Sequence, residues 1–269
     1  AVEFAHRGGP GAGPPRPRGG RRGPPGGRRG PPAAAESIAE ADARGGRHSA
    51  VYEPQLEIAR ACLAAAEGTV SIAVERAIRA ADAAARADQH AVEALALHTA
   101  ARFGAGSVAP RLADLANRVD GPLVRAQARH AVALSRHDGA ELDAAANDFE
   151  HLGARLSAAD AAAQAATAHD RAGDRRRLLE SAAHANRLAA ACDGASTPAL
   201  RDAAQPLPLT AREREIANLV AAGLSNRQIA DRLTVSVRTV EGHLYRACTK
   251  LDVTDRESLV ALLRGESRK

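Results

Sequence analysis

The chain has 269 residues, of which 45% are hydrophobic and only 2% aromatic, and alanine dominates the hydrophobic fraction. This composition disfavours a sheet core, which draws on β-branched and aromatic residues, and predicts closely packed helices. The net charge of +5 divides into +6 over residues 1–35, −4 over residues 36–206 and +3 over residues 207–269. No apolar run is long enough for a membrane span or a signal peptide, so we expect a cytoplasmic protein without a membrane partner.

Residues 1–35 are rich in proline, glycine and arginine, and a seven-residue unit that begins at Gly19 repeats unchanged from Gly26. Such a segment has too few apolar residues to form a core, so we predict that it is disordered. Its role is either a linker or an arginine-rich arm that adds non-specific affinity for nucleic acid. The chain also contains no methionine and begins at Ala1. We therefore expect a fragment of something longer, with removal of an initiator methionine as the alternative.

Residues 36–192 form a second region with the period of amphipathic helices. The predicted helices are 53–66, 69–86, 88–103, 107–119, 122–136, 139–152, 157–172 and 174–191. A repeat is visible in the glycines at 68, 106, 139 and 173, which are 38, 33 and 34 residues apart. This helix–turn–helix unit resembles the tetratricopeptide repeat, which implies a solenoid-like array of helical hairpins. Such an array offers a curved surface to another polypeptide or domain; the alternative is a spacer with no partner.

Residues 193–208 contain three prolines, which interrupt continuous helix and predict a linker. Residues 209–265 then show short helices with tight connections. Three pairs have capping-box spacing: Thr210 with Glu213, Ser225 with Gln228, and Thr254 with Glu257. Gly223 is placed to end the first helix in a left-handed conformation. Two helices joined by a short turn, the second with a polar outer face, are the arrangement of a protein that reads the major groove.

Three linked motifs in this last region are similar to the LuxR-type (FixJ/NarL/GerE) helix-turn-helix. They are Leu209-Thr210-x-Arg212-Glu213-x-Glu215-Ile216, Gly223-Leu224-Ser225-Asn226-x-x-Ile229-Ala230 and Thr239-Val240-x-x-His243-Leu244. The resemblance implies a four-helix DNA-binding domain at residues 209–265 whose third helix enters the major groove. It also implies a homodimer on double-stranded DNA.

The resemblance and the helical phase assign the residues that contact DNA. The residues that face the bases are Glu241, Gly242 and Tyr245. Those that position the domain, mainly on phosphates, are Ser225, Asn226, Arg227, Arg238, Thr239, His243, Arg246 and Lys250. Glutamate can accept a hydrogen bond from a cytosine amino group. Phosphate contacts orient a protein on DNA without reading its sequence.

No enzyme chemistry is predicted. The two lysines, Lys250 and Lys269, do not follow a glycine-rich loop, which excludes a P-loop ATPase from these residues. Residues 36–192 lack the strand pattern of a phosphorelay receiver, and their scarcity of aromatic residues disfavours an acyl-homoserine-lactone pocket. The ten histidines are not clustered, so we expect no metal or other cofactor and interpret them as surface or half-buried residues.

The sequence therefore predicts an all-α bacterial transcriptional regulator that is not an enzyme and that lies on the nucleoid when bound. Its helical array would act as a sensor or as a dock for RNA polymerase or a signalling protein. Two alternatives stay open. One is a protein-binding adaptor whose DNA-binding end only localises it. The other is the C-terminal fragment of a large ATP-dependent LuxR-type regulator whose nucleotide domain lies upstream.

Overall fold

The structure is a computed structural model that describes residues 31–44, 51–204, 209–251 and 253–264. These ranges form fourteen α-helices and one short 3-10 helix (Gly106–Val108), and they contain no strand, which confirms the all-α class. The first ten α-helices are α1 (Pro31–Arg44), α2 (Glu53–Ala66), α3 (Val70–Arg86), α4 (His90–Arg102), α5 (Ala109–Ala116), α6 (Pro122–Arg136), α7 (Gly139–His151), α8 (Arg155–Arg171), α9 (Arg175–Ala190) and α10 (Pro198–Ala204). The last four are α11 (Ala211–Ala221), α12 (Asn226–Leu233), α13 (Val237–Lys250) and α14 (Arg256–Arg264).

The eight helices predicted between residues 53 and 191 all occur, and their ends differ from the prediction by at most three residues. The predicted disorder of residues 1–35 is wrong for residues 31–35, which begin α1. Three alanines there follow two prolines, and proline is tolerated in the first helical turn. Residues 1–30 and 205–208 of the predicted tail and linker lie outside the described residues. No helix among the described residues is long and apolar enough to cross a membrane.

From α2 to α9, each helix packs against the next one along the chain. Because the connections are short, neighbouring helices form hairpins, as the repeat pattern predicted. α10 lies within the predicted linker but packs on α8 and α9. We call α1–α10 the array.

The array is held together by alanine. In α8, seven alanines are inaccessible to solvent: residues 158, 159, 161, 162, 163, 165 and 166. A methyl group at each crossing point lets helix backbones approach closely, and dense packing then supplies dispersion attraction. Each of these residues removes less apolar surface from water than a leucine would, so the fit between helices matters more than side-chain volume.

The four glycines of the repeat have two different roles. Gly68 and Gly173 have positive φ angles of 84° and 74°, which side chains of L residues rarely adopt. Gly106 lies instead against α6, where an added Cβ atom would be 2.9 Å from the Cα atom of Ser135. Gly139 similarly faces the ring of His169. The first and last glycines of the repeat are therefore required by turn geometry, and the two middle ones by close contact between helices.

Two histidines lie at the centre of the array, so the expectation that all histidines are surface or half-buried residues is wrong. Nε2 of His98 is 3.0 Å from Nδ1 of His130, whose Nε2 is 2.6 Å from Oε1 of Gln164. The Gln164 amide group donates to the carbonyls of Ala101 and Arg102, so its oxygen must accept. His130 therefore donates through Nε2 and accepts from His98 through Nδ1, which requires the His130 ring to be neutral. Burial lowers the pKa of both histidines, that of His130 to about 4.

A second buried polar group fixes the end of the array. Asp160 on α8 is inaccessible to solvent and accepts a 2.7 Å hydrogen bond from Nε of Arg102 on α4. It also accepts from the hydroxyl of Thr197, next to the start of α10. Burial raises the pKa of Asp160 against the opposing effect of the Arg102 charge. Three elements that are distant in sequence therefore meet at one carboxylate.

Candidate nucleic-acid interface

The four helices α11–α14, which we call the C-terminal domain, have a core of larger side chains than the array. Its fully buried residues include Ile216, Leu219, Ile229, Val240 and Leu259. α11 packs on the three other helices, and α12 packs on α13. The periodic apolar residues of each short helix point into this one core, so α12 and α13 are held at a fixed angle to each other.

Side-chain caps set where these helices begin. The capping boxes predicted at Thr210 with Glu213 and at Ser225 with Gln228 are both confirmed. α13 is capped by Ser236, which accepts from the N–H of Thr239 and which the sequence pattern missed. The box predicted at Thr254 is one residue off. Asp255 accepts there from the N–H of Ser258.

The connection between α12 and α13 is a tight turn. Thr234 has a left-handed conformation with a φ of 53°, and α13 begins three residues later at Val237. The left-handed glycine predicted at the end of α11 is also confirmed, because Gly223 has a φ of 90°. Two helices are thus joined by three residues, as a helix-turn-helix requires.

The outer face of α13 carries the residues that the sequence assigned to base contacts. Tyr245 is 75% exposed, and Glu241 is also exposed. Between them Gly242 is half-buried, and an added Cβ atom would meet only Nη1 of Arg246, at 3.8 Å. Val237, the first residue of α13, is 39% exposed. The face is therefore polar, open and free of bulk at its centre.

Two arginines near this face have no internal partner. Arg227 in the first turn of α12 and Arg238 in the first turn of α13 are exposed. Neither makes a hydrogen bond through its side chain or an ion pair to any residue in the described ranges. Both also lie where free backbone N–H groups and the helix dipole favour an anion. They are the cations of the predicted set that are available to phosphate.

The other predicted positioning residues are engaged within the domain. Lys250 donates to Glu213 at 2.7 Å, and Nε of Arg246 lies 3.5 Å from the same carboxylate. Arg246 also donates to Nδ1 of His243, whose pKa is lowered by burial and then by neighbouring arginines. Lys250 therefore holds α13 on α11 in this structure. Its predicted phosphate contact would require it to leave or share Glu213.

Three further predicted residues make hydrogen bonds at the N-termini of α12 and α13. The Ser225 hydroxyl caps α12, and the Thr239 hydroxyl lies 2.7 Å from that of Ser236. Oδ1 of Asn226 accepts from Arg256, which also donates to the carbonyl of Leu224. Arg256 thus joins α14 to the start of α12.

Glu213 is the ionic centre of the domain. Its side chain is 3% exposed, and it accepts from Lys250 and from the N–H of Thr210. The hydrogen bond from Lys250, with those from Thr210, lowers the pKa of Glu213 to about 2. Glu213 therefore joins α11 to α13, and this structural role accounts for its place in the motif without a contact to DNA.

The array packs on the C-terminal domain through α11. Oε1 of Glu215 accepts from the N–H and the hydroxyl of Ser71, at 2.9 and 3.1 Å, in the first turn of α3. Arg212 donates to both Ser71 and Glu215. A second contact joins Arg232 on α12 to Glu67 at 2.6 Å. The outer face of α13 takes no part in these contacts, so the docked array leaves it open.

The comparisons with known proteins agree with this geometry for the last fifth of the chain. The family described as GerE, bacterial regulatory proteins, luxR family, matches residues 207–263. The oxygen regulatory protein NreC of Staphylococcus haemolyticus is 48% identical over 52 residues, which are 19% of this chain and 24% of that protein. The monoamine regulon transcriptional regulator of Klebsiella aerogenes is 43% identical over 68 residues, 23% of this chain and 30% of that protein.

A third relative, the tetrathionate response regulatory protein TtrR of Salmonella typhimurium, is 44% identical over 52 residues, 19% of this chain and 25% of that protein. The chain thus spans between 24% and 30% of the length of these three relatives. The comparison with solved structures found no match. The family match covers the C-terminal domain. Residues 207–263 of this chain form a helix-turn-helix domain of the LuxR family of bacterial regulatory proteins.

Proposed function

We propose that this chain is a sequence-specific DNA-binding transcriptional regulator and that α13 enters the major groove. The observation that carries the proposal is the open polar face of α13 beside two exposed arginines, Arg227 and Arg238, within a LuxR-family domain. Members of a family of bacterial regulatory proteins with this motif act on DNA, and the residues of the motif are here folded as such a reader requires. The protein would work in the cytoplasm, on the nucleoid.

Arg227 and Arg238 would bind phosphates on either side of the groove. Each begins a helix whose N–H groups reinforce the attraction for an anion. Glu241 would accept from a cytosine amino group, and Tyr245 would contact a thymine methyl group or a phosphate. Gly242 would let the helix approach the base edges closely. A homodimer would place two such helices in half-sites about one helical turn apart.

Binding to genomic DNA fragments tests the proposal directly. Genome-wide mapping supplies the fragments, and fluorescence anisotropy measures affinity at several salt concentrations. Because each phosphate contact contributes about 0.9 to the slope of log affinity against log salt, Arg227→Ala and Arg238→Ala should each lower that slope by about 1. Both should weaken binding to all sequences alike, whereas Glu241→Ala should change which fragments bind.

Arg176→Ala is the matched control, since Arg176 is an exposed arginine on the array that pairs only with Glu180 on its own helix. It should bind DNA as the unmodified chain does. Absence of DNA binding by the unmodified chain at low salt would refute the proposal.

A second candidate function is that of a protein-binding adaptor. Large apolar side chains are exposed on the array, among them Leu95 (40%), Leu123 (46%) and Leu179 (60%). Exposed apolar residues at a repeat surface are what a partner such as RNA polymerase or a signalling protein would cover. Leu179→Glu should abolish capture of such a partner by the full chain and leave DNA affinity unchanged. Capture that survives this substitution would argue against that surface.

A further inference from the structure

At the junction between the array and the C-terminal domain lies a partly open cavity of about 560 Å³. Its walls come from α3, α4, α6, α7, α8 and α10 of the array and from α11 of the C-terminal domain. This volume is within the range of small-molecule sites, roughly 300–1,000 Å³. We call it the junction cavity. Any molecule that fills it touches both parts of the protein at once.

The charge of the cavity wall is strongly basic. Five arginines line it, at positions 102, 171, 201, 212 and 214, against two carboxylates, Asp202 and Glu215. Arg214 pairs with Asp202 at 3.0 Å, and Arg212 pairs with Glu215 at 2.6 Å. Asp160, behind the wall, neutralises Arg102. These three pairs account for every carboxylate at the wall.

Arg171 and Arg201 are left without a carboxylate at ion-pair distance among the described residues. Nη1 of Arg171 is 3.3 Å from Nδ1 of His137, and Nη2 of Arg201 donates to the carbonyl of Ala65 at 2.8 Å. Neither contact is with a carboxylate. Burial lowers the pKa of Arg201 against the attraction of Asp202 and Asp160, and Arg171 also acts on Asp202. Arg201 is thus a partly buried cation that no carboxylate pairs directly, and a bound anion would offset the cost of its burial.

The remaining wall combines apolar side chains with a few neutral polar ones, among them Gln164, Thr167 and Asn218. Val74, Phe103, Leu134 and Leu142 line it, and Phe103 is its one aromatic residue other than histidine among those described. Inorganic phosphate would satisfy the arginines but would leave this surface uncovered. The wall therefore matches a molecule with an acidic group at one end and an apolar body at the other.

We propose that the junction cavity binds a small amphipathic organic anion, with its carboxylate or phosphate on Arg171 and Arg201 and its apolar body against Val74 and Leu134. Because α11 forms one wall, binding would change how the C-terminal domain is held against the array and hence its affinity for DNA. That second consequence rests on the DNA-binding function proposed above, whereas binding of the anion does not.

The test uses two fluorescent probes that share one ring system. Anilinonaphthalenesulfonate is an amphipathic anion, and N-phenylnaphthylamine is the same body without the sulfonate. On the full chain the anion should bind at a single site about tenfold more tightly than the neutral probe. The double substitution Arg171→Gln with Arg201→Gln should lower the affinity for the anionic probe by about the same factor and leave the affinity for the neutral probe unchanged.

Arg176→Gln is the control and should bind both probes as the unmodified chain does. Arg171→Gln alone keeps the test decisive if loss of the Arg201 contact to Ala65 disturbs folding, because the Arg171 side chain is exposed. Equal affinity for the two probes, or unchanged anion binding in Arg171→Gln, would overturn the proposal. Since the probes are measured without DNA, a failure of DNA binding alone would refute the proposed function and leave the cavity site standing.

Discussion

The array and the C-terminal domain build their cores from different side chains. The array buries alanine at nearly every helix crossing and places a hydrogen-bonded polar chain at its centre. The C-terminal domain buries isoleucine, leucine and valine, and its ionic cluster around Glu213 joins α11 to α13 beside that core. The array therefore depends on close fit and neutral histidines, whereas the C-terminal domain depends on side-chain volume. Substitutions that harm one should be tolerated better in the other.

The largest loss of stability is expected from a substitution that leaves a cavity in the core of the C-terminal domain. Ile229→Ala truncates a fully buried residue of α12, and such truncations cost about 2–5 kcal/mol. DNA binding should be lost while the array keeps its helices, since Ile229 is not part of the array core. Urea unfolding followed by circular dichroism gives the free energy. Val237→Ala, a truncation at a position that is 39% exposed, is the control and should have little effect.

The next largest effect is expected from acid, which should destabilise the array at a higher pH than the C-terminal domain. The pKa of His130 is about 4 in the folded chain against an ordinary value of 6.5, so the unfolded chain binds the extra proton more readily between these values. Stability from this residue is present above pH 6.5 and falls as the pH drops toward 4, by about 3 kcal/mol.

Glu213, in contrast, has a pKa of about 2, below its ordinary 4.5, so its contribution is lost only as the pH falls from 4.5 toward 2. Hydrogen exchange across this pH range should therefore show the array opening before the C-terminal domain. His130→Gln should flatten the pH dependence of the array above pH 4.5. The opposite order of opening would contradict the assignment of neutral histidines.

A smaller effect is expected from excess volume in the array. Ala162→Leu adds a branched side chain where α8 has no free space, and overpacking of this kind costs about 1–3 kcal/mol. Thermal unfolding measures the loss. Ala183→Leu makes the same change at an exposed position of α9 and should be nearly neutral. If both variants were equally stable, the array would not be the closely fitted stack described above.

The smallest effect should come from glycine, and its sign should differ between the regions. Gly242→Ala should stabilise the C-terminal domain by roughly 0.5–1 kcal/mol, because its Cβ atom meets only the tip of Arg246 and alanine favours helix. Gly106→Ala should destabilise the array, because its Cβ atom would press on the backbone of Ser135. Melting temperatures of the two variants measure both signs. Stabilisation by Gly106→Ala would contradict the close contact with α6.

Features that depend on neighbours in sequence were predictable. The helices of the array, the two capping boxes at Thr210 and Ser225, and the left-handed Gly223 all follow from residues within one or two turns of each other. The polar face of α13 follows from helical period alone. The start of α1 was missed because the proline- and glycine-rich composition before it concealed three alanines.

Only the tertiary structure decided which distant side chains meet. His98 and His130 are 32 residues apart, Glu213 and Lys250 are 37 apart, and Ser71 and Glu215 are 144 apart. No local pattern encodes such pairs, because a residue's periodicity reports which face it lies on and not which partner covers that face. The sequence by itself thus determined that a LuxR-family helix-turn-helix domain follows an alanine-rich helical array. Only in the folded structure does Lys250 pair with Glu213 and does His98 contact His130 inside the array. The fold also brings arginines from four helices to the wall of one cavity at the junction.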